Sequence, residues 1–256
     1  MRPLILISND DGFYADGIKA LTEIVKELGD VVVVAPDGGR SGASLSITST
    51  VPVRYRKEYS SEGVEVYSCT GSPCDCIKMA FEKILDRRPD VVLGGINHGD
   101  NAAVNAHYSG TLAISLESTI KCVPAIGFSS CALSGYDRFM RGSEPIRQIV
   151  KSVIDEGLPD GVYLNVNLPS CDEFAGVRLC KMGKGDWIDE WIEREHPRGG
   201  TYYWIAGHYE SFDGDDPATD TWALNHGYIA ITPITLDLTA YGAFERLSEQ
   251  FKIKNS

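Results

Sequence analysis

The opening of the chain alternates in a way that few folds permit. Leu4, Ile5, Leu6 and Ile7 form an unbroken apolar run that stops at Asn9-Asp10-Asp11-Gly12. This is the pattern of a strand buried on both faces and ending in a turn. Ile18, Leu21, Ile24 or Val25 and Leu28 then recur at helical spacing, and Gly29 stands where a C-terminal cap belongs. Residues 31–35 make a second β-branched run, halted by Pro36-Asp37-Gly38-Gly39. A strand, a helix and a second strand in this order imply parallel strands joined by a right-handed crossover.

The unit repeats. A helical stretch at 75–85 leads to a strand at 90–94, and a helix at 110–119 leads to a strand at 123–128. A helix at 145–156 then leads to a strand at 162–166. The expected class is therefore α/β, a mostly parallel sheet flanked by helices. Beyond Pro169 the segments become short, aromatic and polar, with a strand expected at 227–232 and a terminal helix at 243–251. This part lacks the apolar helices needed for its own core. The expected organisation is a single domain over 1–256, with a core of about 1–168 and a C-terminal extension of about 169–256.

At 256 residues, with 43% hydrophobic and 23% charged residues, the chain can bury a sizeable core and is not disordered. The N-terminal apolar run is too short for a signal peptide, and no stretch approaches the ~20 apolar residues of a membrane span. A cytoplasmic protein without a membrane partner is expected, with its seven cysteines as thiols. The net charge of -12 argues against a stable nucleic-acid complex. The same charge repels small anionic substrates unless a cation reverses the field locally.

In an open parallel sheet, ligands bind beyond the carboxyl ends of the strands. Three polar loops sit at such ends: residues 9–12, 37–44 and 95–101. Adjacent Asp10 and Asp11 repel each other unless a cation or a shared proton intervenes. Together with the Ser41 hydroxyl and the Asn97 carbonyl they would offer four oxygen ligands to Mg²⁺ or Mn²⁺. The tripeptide Asp10-Asp11-Gly12 is equally compatible with a solvated turn. Ser109, Gly110 and Thr111 precede an apolar helix and suit either a phosphate cradle or an ordinary N-cap. Thr70-Gly71-Ser72-Pro73-Cys74-Asp75 is open to the same two readings, Pro at an early helical position being normal helix-start chemistry. Cys74 and Cys76 lack the further ligands of a zinc site. His98 and His107 read as loop hydrogen-bonders.

Taken together, residues 5–12, Val34-Ala35-Pro36-Asp37 with Arg40 to Ser44, Gly94-Gly95-Ile96-Asn97 and Tyr108-Ser109-Gly110-Thr111 resemble the SurE survival-protein family in order and spacing. Thr70-Gly71-Ser72-Pro73 with Asp75-Cys76, and residues 227–233 with Asp237-Leu238-Thr239, extend the resemblance over almost the whole chain. The resemblance implies a Rossmann-like core and hydrolysis of nucleoside 5′- and 3′-monophosphates. It also implies one divalent metal ion per subunit on Asp10, Asp11, Ser41 and Asn97. It further implies a homodimer or homotetramer that exchanges C-terminal segments, here from about Asp186. Asp100, Ala102, Ala103 and the pair Glu117-Ser118 depart from the family pattern.

On this reading the metal orients an in-line water attack on phosphorus. Ser109, Gly110 and Thr111 would hold the other phosphoryl oxygens, and Asn9 would add a hydrogen bond. Asp10 or Asp11 would assist proton transfer, and an aromatic from Tyr202 to Trp204 is a candidate for base stacking. Two other classes remain open: a covalent aspartyl phosphatase of the haloacid-dehalogenase type, which keeps Asp-x-Asp at the first-strand end where this chain has Asp10-Asp11-Gly12, and a non-catalytic phosphate-sensing module like a receiver domain.

Overall fold

Strand β1 (Leu4–Ser8) is buried along its whole length, Ile5 and Ile7 entering one layer and Leu6 the other. That period of two places apolar side chains on both faces, so the strand needs cover on both sides. The structure is a computed structural model that describes residues 2–132 and 135–252.

In chain order the elements are α1 (Asp16–Val25), β2 (Asp30–Pro36), β3 (Tyr55–Ser61), β4 (Val64–Cys69), α2 (Pro73–Met79) and β5 (Val91–His98). They continue with α3 (Gly110–Ile120), β6 (Ala125–Ser130), α4 (Tyr136–Met140), α5 (Ser143–Glu156) and β7 (Val162–Leu168). The C-terminal part holds β8 (Gly176–Leu179), β9 (Gly185–Ile188), β10 (Trp191–Glu195), β11 (Thr201–Ile205) and β12 (His208–Ser211). It ends with α6 (Asp220–Asn225), β13 (Tyr228–Thr235) and α7 (Phe244–Phe251).

Among the described residues nine strands join one sheet in the order β3-β4-β2-β1-β5-β6-β7-β13-β8. The run from β4 through β7 is parallel throughout, while β3 and β13 enter antiparallel to their neighbours β4 and β7. The expected mostly parallel α/β sheet is thus observed. The residues beyond Leu168 return to the same sheet, supplying β13 and, beside it, β8. β9 pairs with β12, and β10 with β11, in separate two-stranded ladders. No helix among the described residues is long and apolar enough to cross a membrane.

Helices cover both faces. Ile18, Leu21, Ile24 and Val25 of α1 and Ile146, Val150 and Val153 of α5 pack on Ile5, Ile7, Val33, Leu93 and Phe128. On the other face, Cys76 and Ile77 of α2 and Leu112 and Ile114 of α3 pack on Leu6, Val34, Val92 and Ala125. The helix expected at 75–85 starts earlier, because Ser72 and Asp75 form a reciprocal capping box around Pro73. It loosens into a π-helical turn at Ala80–Ile84.

Space rather than conformation decides Gly17. A Cβ at this position of α1 would lie 2.0 Å from the Ile96 carbonyl oxygen of β5, a backbone atom that has nowhere to go. Gly17→Ala is expected to push α1 off the sheet and lower stability by at least about 2 kcal/mol. Thermal unfolding should then show a melting temperature lower by at least about 5 °C. An unchanged midpoint would mean that the helix shifts without cost.

Candidate functional site

Strand order diverges at β1, which lies between β2 on one side and β5 on the other. The crevice beyond the carboxyl ends of β1 and β5 is the switch point where open α/β sheets bind ligands. The turn after β1 is closed by Asn9: its Nδ2 donates to the Gly12 carbonyl at 2.9 Å, and its Oδ1 accepts from the Gly12 N–H at 3.1 Å. Asn9 is fully buried, so the turn is rigid at its base.

Asp10 is only 4% exposed. Its Oδ1 accepts a 2.7 Å hydrogen bond from Thr111 Oγ1, and its backbone carbonyl accepts from the Arg40 N–H at 2.6 Å. Its Oδ2 lies over Gly110, where a Cβ would come within 2.8 Å of it. Burial raises the Asp10 carboxyl to about 6, Thr111 opposes that shift, and the neighbouring Asp11 adds to it. Asp11 is half-buried; burial raises its pKa as well, against a backbone hydrogen bond from His98. Neither carboxylate forms an ion pair with a side chain among the described residues.

The other expected residues arrive on neighbouring elements. Asn97, near the end of β5, donates from Nδ2 to the carbonyls of His98 and Gly99 at 3.2 and 2.9 Å, which turns its oxygen the other way. Ser41 is exposed, on the loop after β2, and makes no hydrogen bond among the described residues. Its neighbour Arg40 ties that loop to the Asp10 carbonyl. Ser44, further along, donates to the His107 carbonyl at 2.9 Å. Ser109 caps α3 by accepting the Leu112 N–H at 3.0 Å, so the N-cap chemistry is realised. Thr111 is fully buried, with its hydroxyl committed to Asp10.

The donors are oxygens: two carboxylates, a hydroxyl and an amide carbonyl. Among the described residues no group of three or more His, Cys, Asp and Glu is placed to hold a metal. A hard cation accepts such an oxygen set.

Tyr202, Tyr203 and Trp204 lie on β11, in a hairpin whose strands pair only with each other. From the C-terminal part, Trp187 of β9 reaches the loop after Asn97, its Nε1 donating to Asn105 Oδ1 at 2.7 Å. It borders a cavity of about 330 Å³ together with Asp100, Ala103, Tyr209, Trp222 and His226. Nothing local in the sequence marks Trp187, because its partner is 82 residues away.

Comparison with known proteins adds an independent line. The family model described as "Survival protein SurE" matches residues 5–189. The protein named 5'-nucleotidase SurE from Phocaeicola vulgatus is 47% identical over 246 residues, covering 96% of each chain. Its namesake from Bacteroides thetaiotaomicron is 44% identical over 247 residues, 96% of this chain and 95% of that one. The crystal structure of the SurE protein from Aquifex aeolicus superposes with a TM-score of 0.84 at 36% identity, covering 97% of this chain and all of that one.

The raised Asp10 carboxyl sets a sign for pH dependence. Between the ordinary carboxylate value and about 6 the folded protein holds a proton that the unfolded chain has lost. In chelator-treated protein, stability from this group is therefore present at low pH and lost as pH rises through the folded value. The loss amounts to about 3 kcal/mol. Asp10→Asn keeps an acceptor for Thr111 and removes the titration. Urea unfolding of both proteins from about pH 4 to 7 should show the mutant gaining on wild type by that amount. Parallel curves would contradict the burial argument.

Proposed function

From the premise that the chain belongs to the SurE family, we propose that it is a phosphomonoesterase. It removes phosphate from nucleoside 5′- and 3′-monophosphates and uses one divalent metal ion per subunit, Mg²⁺ or Mn²⁺. The observation that carries this reading is the pair Asp10 and Asp11. Both have raised pKa values, neither has an ion-pair partner among the described residues, and both lie at the switch point, Asp10 against the start of α3.

Asp10, Asp11, Ser41 and Asn97 would hold the ion. When bound, a divalent cation supplies charge neutralisation at the phosphoryl oxygens and lowers the pKa of water. Thr111 orients Asp10. Gly110 leaves room for the Asp10 carboxylate against the start of α3, whose first-turn N–H groups would donate to the phosphoryl oxygens. Asn9 holds the turn that aims the two carboxylates. One of those carboxylates takes the proton released by the attacking water. The nucleoside is assigned to the cavity between Asp100 and Trp187, which starts three residues beyond Asn97.

Assembly is part of the proposal. Trp191, Tyr203, Trp204 and Ile205 stand 56–71% exposed on the β10–β11 hairpin. An apolar surface of this kind suits contact with a second copy. The reading is a homodimer or homotetramer in the cytoplasm, exchanging the segment from about Asp186.

A panel of nucleotides and generic phosphate esters, assayed on metal-stripped protein with single metals restored, tests the activity. Absence of turnover throughout would favour a phosphate-sensing module, and a trapped phosphoaspartate would favour covalent catalysis. Asp11→Asn is expected to abolish turnover and shrink the thermal shift produced by Mn²⁺, while the metal-free mutant melts higher than wild type. Wild-type turnover together with a wild-type Mn²⁺ shift in that variant would sink the metal reading.

A further inference from the structure

We infer that Asp220 is a positioning residue for this reaction: its buried carboxylate fixes the left-handed backbone at Ala103 and, through it, the turn that delivers Ser109, Gly110 and Thr111. The inference rests on the proposed phosphomonoesterase reading of those residues.

Asp220 opens α6 and is fully buried. Its Oδ2 accepts the Ala103 N–H at 3.0 Å. Its Oδ1 accepts the N–H groups of Gly183 and Thr221, each at 2.8 Å. Among the described residues it has no ion-pair partner. Both oxygens are therefore committed as acceptors, and backbone N–H groups alone stabilise the charge. A side chain whose second terminal atom is a donor would place N–H against N–H at Ala103.

Ala103 itself sits at φ +46°, a conformation that a Cβ disfavours. It begins the 3₁₀ turn Ala103–Tyr108, which runs from the loop after Asn97 to Ser109. Without the bond to Asp220 the residue would relax towards negative φ and swing that turn. The turn has other anchors on either side of Ala103: Asn101 before it is held by Asn165, Asn167 and Ser129, Asn105 after it is held by Trp187, and the His107 carbonyl accepts from Ser44. Asp100 Oδ1 accepts from the Ala102 N–H and from Asn105 Nδ2, both at 3.2 Å, and so ties the start of the turn to its own loop. Asp220 ties the first residue of the turn to the C-terminal part, across 117 residues, while Trp187 ties Asn105 to the same part further along.

A purely structural alternative is that Asp220 only secures Gly183 and the start of α6. Two variants separate the readings. Asp220→Asn keeps an oxygen for Gly183 and Thr221 but turns an amide towards Ala103. It should lower kcat/KM for a nucleoside monophosphate about 10-fold or more. Amide exchange at residue 103 should speed up, with that of Gly183 unchanged.

Adding Ala103→Gly removes the penalty of the left-handed backbone, because glycine adopts it freely. The double variant should regain at least about 3-fold in kcat/KM, since the clamp is no longer needed to hold that backbone. Wild-type kcat/KM in Asp220→Asn, or no recovery in the double variant, would overturn the inference. If Asp220→Asn fails to fold, Ala103→Val carries the test by worsening the same strain with Asp220 intact. It should lower kcat/KM with Gly183 exchange unchanged, and wild-type kcat/KM there would overturn the inference. If wild type turns over no phosphomonoester with any metal, the functional reading fails, and exchange at residue 103 still reports on the clamp.

Discussion

The 2.7 Å hydrogen bond from Thr111 to Asp10 is the contact on which the carboxyl end of the sheet depends. It joins residues 101 apart and fixes the start of α3 against the turn after β1. Neither partner has freedom to give way. β1 is buried on both faces, and α3 is seated on β5 and β6 by Leu112 and Ile114 packing under Val92 and Ala125. The bond therefore points a buried carboxylate at the first turn of a helix, where N–H groups and the helix dipole favour negative charge. An anionic substrate would compete with Asp10 for that favourable end. A cation between them, or a proton on Asp10, would relieve the competition, which links the metal reading to the hydrogen bond.

Among the described residues no side chain forms an ion pair with Asp10 or Asp11 at this place. Arg40 is close in sequence, but its guanidinium faces Asp37 and the Thr70 carbonyl, while its backbone N–H serves Asp10. Keeping Asp10 ionised at neutral pH costs about 3 kcal/mol, a large part of the 5–15 kcal/mol typical of a folded domain. A fold that carries such a cost at one carboxylate, with a second raised carboxylate beside it, has a site whose stability depends on what binds there.

Much of this was legible from residue order. β1, β2, β5 and β6 carry continuous apolar runs because helices cover both of their faces, and such runs stand out without any partner in view. β3 was not, since it is an exposed edge strand whose Tyr55-Arg56-Lys57-Glu58-Tyr59 carries the charges that discourage further pairing. The strands β8 to β12 are four or five residues long and mostly exposed, too short for a period to show. At the site, the adjacent aspartates were visible as a chemical oddity. The commitment of Thr111 to Asp10 was not, because a threonine at a helix start reads alike as a cap, a ligand or a brace. Asp220 was illegible for the same reason: its partners Ala103 and Gly183 are neighbours only after folding.

Of the four proposed ligands, Ser41 is on the exposed loop, and the attachments of that loop decide whether the site is preformed or assembled by closure. At its start the loop is held by Arg40, whose N–H is bonded to the carbonyl of Asp10. Three residues past Ser41 it is held again, by Ser44 on the carbonyl of His107. The first anchor belongs to the turn that carries Asp10 and Asp11. The second belongs to the 3₁₀ turn that leads from the Asn97 loop to Ser109. Ser41 is thus strung between the two units that carry the remaining site residues, so its exposure to solvent does not imply freedom of position. The loop needs to adjust only within a span pinned at both ends.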